Sequence, residues 1–245
     1  MAVLLVMGFA NTFSNSSFSQ NAVLGNVAKD IFDNKTLTLP SNVKNFVILI
    51  PNEAHESPLL PKEQRLINQP YVPQNLVSGA NTQIIWFTGD VGHTREITLT
   101  DENSKEVFNS RLKFNSATEP LLLNHSGKFT YFEENANSED LKFVMEGSIT
   151  ITNGDIPLNS NVNMTESESP FETMLVLMVP TKDIKKHTMT LDDNNVNIID
   201  EYTFKDLRET GGGGANQTLL VLGTDDPLDE SISVLKKITL SLPYS

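Results

Sequence analysis

The sequence predicts a mainly β protein, with a Greek-key β-sandwich over residues 43–152 and a small α+β module over 171–245. Three observations predict this. Between Phe46 and Thr152, short runs rich in β-branched and aromatic residues succeed one another, with turn residues between them. From 153 to 170 the chain (beginning NGDIPLNSNVNMTESES) is polar and acidic and loses apolar periodicity, as a linker does. Beyond it, apolar strands alternate with stretches whose hydrophobic residues recur at helical spacing.

Taken in order, Ala2–Ala10 (AVLLVMGFA) is an apolar run of signal-peptide length followed by small and polar residues. No Lys or Arg precedes Lys29, so the basic flank of a usual signal is missing. The run is shorter than the roughly 20 residues of a spanning helix. Residues 1–28 are therefore read as a signal peptide or short membrane anchor, with a buried N-terminal strand as the competing reading. The stretch from Asn11 to Pro40 reads as leader or tail, with a short helix around Val23–Phe32. FVILI at 46–50 is a strand stopped by Pro51. Pro61 suits the first turn of a short helix ending near Asn68. Tyr71–Val77 is extended, TQIIWFT at 82–88 is a strand closed by a Gly89–Asp90 turn, and Glu96–Thr100 alternates Ile97 and Leu99 with polar neighbours. Leu121–Leu123, Lys128–Phe132 and Ser148–Thr152 complete the sandwich.

After the linker, MLVLMV at 174–179 is a strand, Thr181 is placed to cap a helix over 182–191, and Asn195–Phe204 is extended. The glycine run 211–214 is a connection and TLLVL at 218–222 a strand. Asp225 or Asp226 would cap a last helix, with Leu228, Ile232, Leu235 and Ile238 on one face. The order β-α-β-β-α is that of a ferredoxin-like module lacking its final strand.

Composition excludes several functions. The chain has 245 residues, 38% of them hydrophobic, and a formal net charge of −13. A field of that sign repels phosphate backbones, so no nucleic-acid partner is expected. Cysteine is absent, which removes disulfides, Fe–S clusters, thiolate zinc sites and a cysteine nucleophile. No nucleophile elbow, phosphate-binding GxxxxGK or HExxH occurs, and GGGGAN joins strands without opening a helix. The expectation is therefore that the chain is not an enzyme. Asn-x-Ser/Thr sequons begin at Asn15, Asn34, Asn124, Asn163 and Asn216, which is compatible with export.

Four segments, in order, carry a family resemblance. They are YVPQNLVSGANTQIIWFTGDVGH at 71–93, VFNS at 107–110, SGKFTYFE at 126–133 and VMEGSITI at 144–151. Together they resemble the cupredoxins (plastocyanin/azurin-like), in particular secreted archaeal members, across roughly 110 residues. The resemblance implies a copper-protein sandwich, with His93 at the first histidine-ligand position and Met145 at the axial position. It also locates the departure. Glu133 stands where the family has its cysteine, and the second histidine is replaced near Ala136, ahead of an acidic insertion (NSEDLKF). A blue site needs two imidazoles, a thiolate and a weak thioether, so the type 1 site is degenerate.

Two uses follow. His93 and Glu133, with Met145 as a weak extra ligand and Glu134 or His125 nearby, make a carboxylate–imidazole set for non-blue Cu(II) or for Zn(II). The competing reading keeps Met145 as core filler and His93 as a hydrogen-bonded remnant. His55, between Glu53 and Glu56, reads as a solvated loop residue, and His187, beside Lys185 and Lys186, as exposed. The expected role is an extracytoplasmic structural or accessory subunit of a larger complex, which the resemblance places beside a membrane copper enzyme. Its partners are expected to be proteins, with membrane association through the N-terminus and no cofactor beyond copper. The alternative is a mononuclear copper-binding or copper-delivery protein centred on His93.

Overall fold

A computed structural model describes residues 26–52, 70–91, 93–133, 145–152, 169, 171–205 and 216–242. The N-terminal apolar run, the helix expected after Pro61, the acidic insertion, most of the linker and the glycine run lie outside these residues.

The elements are α1 (Val27–Asn34), β1 (Thr36–Thr38), β2 (Asn45–Ile50), β3 (Asn75–Gly79), β4 (Gln83–Thr88), β5 (Arg95–Thr100), β6 (Glu106–Leu112), β7 (Ser116–Ala117), β8 (Leu121–Leu122), β9 (Gly127–Glu133), β10 (Glu146–Thr152), β11 (Thr173–Pro180), α2 (Ile184–Asp192), β12 (Asn197–Lys205), β13 (Asn216–Thr224) and α3 (Leu228–Leu240). Among the described residues they form two mixed sheets, ordered β1-β3-β10-β9-β5-β6 and β12-β13-β11-β2-β4-β7, with β8 also on β4. Between β2 and β10 the chain crosses repeatedly from one sheet to the other, as in a Greek-key sandwich.

Burial explains the strand sequences. β2 and β4 are buried at every position after the first, so both read as continuous apolar runs. On the inner face of β4, Trp86 crosses to the six-stranded sheet. It stacks on Phe108 of β6 (centroids 5.7 Å apart) and meets Tyr131 of β9 edge-on at 5.2 Å. Tyr131 lies across Gly147 of β10. A Cβ at Gly147 would sit 2.3 Å from the ring and 2.5 Å from the Gln74 carbonyl oxygen, so only glycine fits.

The other face of the seven-stranded sheet carries α2 and α3. At Gly89, just after β4, a Cβ would lie 3.7 Å from Thr239 of α3. Thr218 of β13 joins the hydroxyls of Thr203 (2.9 Å) and Thr181 (3.0 Å). Strand alternation sends Tyr202 and Phe204 to the opposite face, where both rings meet Phe32 of α1 at 5.1 and 4.8 Å.

The C-terminal region has the expected order: β11-α2-β12-β13-α3. Its sheet is continuous with the sandwich, because β11 pairs in parallel with β2 over Thr173–Leu175 and Asn45–Val47. Three local expectations are corrected. Residues from Asn26 onward belong to the folded body rather than to a leader, since Val27, Ala28, Ile31, Leu37 and Leu39 are buried. Thr181 does not cap α2; its hydroxyl is taken by Thr218. Neither Asp225 nor Asp226 caps α3. The Asp225 carboxylate accepts the Glu172 N–H (3.0 Å), and the Asp226 N–H donates to Thr224 Oγ1 (3.1 Å).

Candidate functional site

Three chain segments meet at the sandwich end beyond Thr88. β4 stops there, and the Asp90 N–H turns back to donate to Thr88 Oγ1 at 3.1 Å. Arg95 opens β5 and shares its inward parity with Ile97 and Leu99. Glu133 ends β9 opposite Ile97, and its N–H donates to the Met145 carbonyl at 3.1 Å.

These segments build a buried ion cluster. The Arg95 guanidinium donates through Nε to Asp90 Oδ2 at 2.8 Å and through Nη2 to the same oxygen. Its Nη1 donates to Glu133 Oε2 at 3.3 Å. Glu133 Oε1 accepts the Glu96 N–H at 3.4 Å, and His93 Nδ1 lies 3.5 Å from Asp90 Oδ1. The Asp90 and Glu133 side chains are fully buried and that of Arg95 is 5% exposed, whereas that of His93 is 44% exposed. Ions this deep persist only when paired, because desolvation penalises each by several kcal/mol.

Tyr71 lies near enough to the cluster to feel the Glu133 and Arg95 charges. Its ring packs edge-on to Tyr131 at 4.8 Å, and its buried hydroxyl has no hydrogen-bonding partner among the described residues. Burial, then Tyr131, then the Glu133 charge push its ionisation well above the usual phenol range, while Arg95 draws it down. Tyr131 does find a partner, donating to the Gln74 carbonyl at 3.0 Å, and its burial likewise raises its pKa.

The expected ligand residues are thus only partly assembled. Glu133 and Met145 adjoin through the backbone, and Arg95 and Asp90 link Glu133 to His93. Met145 is buried in the core. His125 is exposed in a turn, near Asn124 Oδ1 (3.3 Å) and edge-on to Phe129. Glu134, Ala136 and His55 lie outside the described residues. His187, expected to be exposed, is buried at 1% exposure because α2 turns it inward with Leu191, one helical turn on. Arg95 was not anticipated. The signal was its parity with Ile97 and Leu99, which sends a cation inward and requires a buried anion there.

No group of three or more His, Asp or Glu side chains is placed to hold a metal ion among the described residues. The residues present do not fit a blue-copper centre. Thiolate is absent, one imidazole stands at the surface, and the carboxylate at the cysteine position is held by a guanidinium and a backbone amide.

No family model matches the chain, and no curated protein does. Solved structures do. A copper-containing nitrite reductase from Thermus scotoductus is 14% identical, with a TM-score of 0.32 over 49% of this chain and 28% of its own. Auracyanin from Roseiflexus castenholzii is 6% identical, with a TM-score of 0.32 over 44% of this chain and 97% of its own. Rusticyanin from Thiobacillus ferrooxidans is 11% identical, with a TM-score of 0.31 over 48% of this chain and 82% of its own. The chain spans little more than a quarter of the nitrite reductase. With an enzyme among these matches, the expectation that the chain is not an enzyme is withdrawn.

Proposed function

We propose that this chain is an exported scaffold, an accessory subunit that binds protein partners within an extracytoplasmic or membrane complex. The observation that carries this reading is the Asp90–Arg95–Glu133 cluster. Where the family resemblance locates a copper thiolate, this chain has a buried carboxylate held by a guanidinium that a second buried carboxylate also holds. The sandwich is retained and that end is rebuilt for rigidity, which suits a docking body. The apolar run at Ala2–Ala10 supports export. Among the described residues no helix is long and apolar enough to cross a membrane.

The test is isolation of the tagged full chain from its native membranes in mild detergent, with cross-linking before lysis. A fixed set of co-purifying, cross-linked proteins is expected. Recovery of a lone monomer from the soluble fraction would overturn the subunit reading.

One observation favours a second reading, binding of Cu(II) centred on His93. Its ring is 44% exposed, and an imidazole is a ligand that Cu(II) accepts. Under that reading the chain takes up one equivalent of Cu(II) in dialysis and His93→Ala abolishes the uptake.

A further inference from the structure

The buried cluster at the sandwich end is a cation site with its cation built in. Two buried carboxylates face one another across a single guanidinium. Asp90 presents one oxygen to two N–H groups of the Arg95 fork, and Glu133 takes a third N–H from Nη1. That is the recognition pattern of a planar multi-donor cation, and neither a spherical metal ion nor an ammonium reproduces it. The second carboxylate oxygens point elsewhere, one toward His93 Nδ1 and one to the Glu96 amide. The buried Tyr71 hydroxyl, without a partner among the described residues, feels the charges of both Glu133 and Arg95.

We propose that Asp90 and Glu133 form a guanidinium-selective receptor, occupied in the native chain by Arg95, in place of the metal site that the sandwich would otherwise carry. The receptor belongs to the fold and the side chain is its ligand. Shortening Arg95 therefore leaves a site that free guanidinium fills and that Cu(II) and Zn(II) do not. This inference goes beyond the scaffold reading and holds or fails independently of any partner.

The experiment uses the full chain carrying Arg95→Ala. Its thermal midpoint is measured in guanidinium chloride at millimolar concentrations, far below the denaturing range, against sodium chloride at equal ionic strength. Guanidinium is expected to raise the midpoint with the logarithm of its concentration, by roughly 3–6 °C for each tenfold step above its Kd. The wild-type midpoint should not move. If Arg95→Ala does not fold unaided, the same comparison is made on its refolding yield from urea, which guanidinium should restore. Arg95→Lys, carrying a point charge in place of a fork, should fold with a lower midpoint than wild type. Three results overturn the proposal: equal effects of guanidinium and sodium on Arg95→Ala, rescue by Cu(II) or Zn(II) instead, or an Arg95→Lys midpoint equal to wild type.

Discussion

Two tyrosines 4.8 Å apart at the sandwich core differ in one respect that decides their contribution. The Tyr131 hydroxyl reaches the Gln74 carbonyl, whereas that of Tyr71 is buried without a partner among the described residues. A satisfied buried hydroxyl is worth about 1 kcal/mol and an unsatisfied one is a liability. Tyr131→Phe should thus lower stability by about 1 kcal/mol in urea titration, and Tyr71→Phe should leave it equal or raised. Gly147→Ala should lose about 1–3 kcal/mol, because its methyl must displace the Tyr131 ring or the Gln74 backbone. His187 sets a pH dependence. Burial first, then Lys186, lower its folded pKa below the ordinary value of 6.5, with Asp183 opposing. The folded state therefore holds the ring neutral where the unfolded chain protonates it. Its contribution to stability is complete above the unfolded pKa and is lost as pH falls from there through the lowered folded pKa. Urea midpoints measured on either side of that pKa should fall toward acid in the wild type, and less so in His187→Gln. These residue-level features were the least legible in the sequence. Glu133 and Met145 had motif positions, and Arg95 had the parity of Ile97 and Leu99, but the meeting of Arg95 with Glu133 depends on how distant strands pair, and the burial of His187 on how α2 faces, which its polar sequence does not fix.

Elements were read better than their termini. β2, β4, β9, β11 and β13 are long apolar or alternating runs, and each lies within a few residues of its expected place. β1 has a single buried residue, Leu37, between two threonines, and β6 is an edge strand whose exposed positions hide the alternation. Both give little local signal and form because a neighbouring strand supplies the ladder. The helix caps failed for a related reason: Thr181 and Asp225 were engaged by tertiary partners. α2 offers a direct check on orientation. Leu191 is fully buried, while Met189 is 69% exposed. Leu191→Ala should lower stability by about 2–5 kcal/mol and Met189→Ala by no more than about 0.5 kcal/mol in the same titration.

For the whole molecule, the parallel pairing of β2 with β11 matters most. The C-terminal region was expected to lack the last strand of its module, and β2 of the sandwich lies along the exposed edge of β11. Sequence could not show this, since each half has a self-consistent pattern and the join is only a strand edge. One continuous sheet should melt as one unit. Trp86, the only tryptophan, reports on the sandwich core, and far-UV circular dichroism reports on the secondary structure, helices included. Their unfolding midpoints should coincide, and two separated transitions would show that the halves are independent. The same pairing also has a consequence for the chain as it is made. Asn45 and Thr173 are joined by a side-chain hydrogen bond across 128 residues. While the ribosome works through that interval, Val72 already bridges Leu49, but the Asn45–Val47 part of the same β2 edge waits for β11 and is open to any other strand. Translation is thus a race between arrival of β11 and capture of that edge, and a nascent chain halted before residue 173 should be the species that chaperones hold and aggregates recruit.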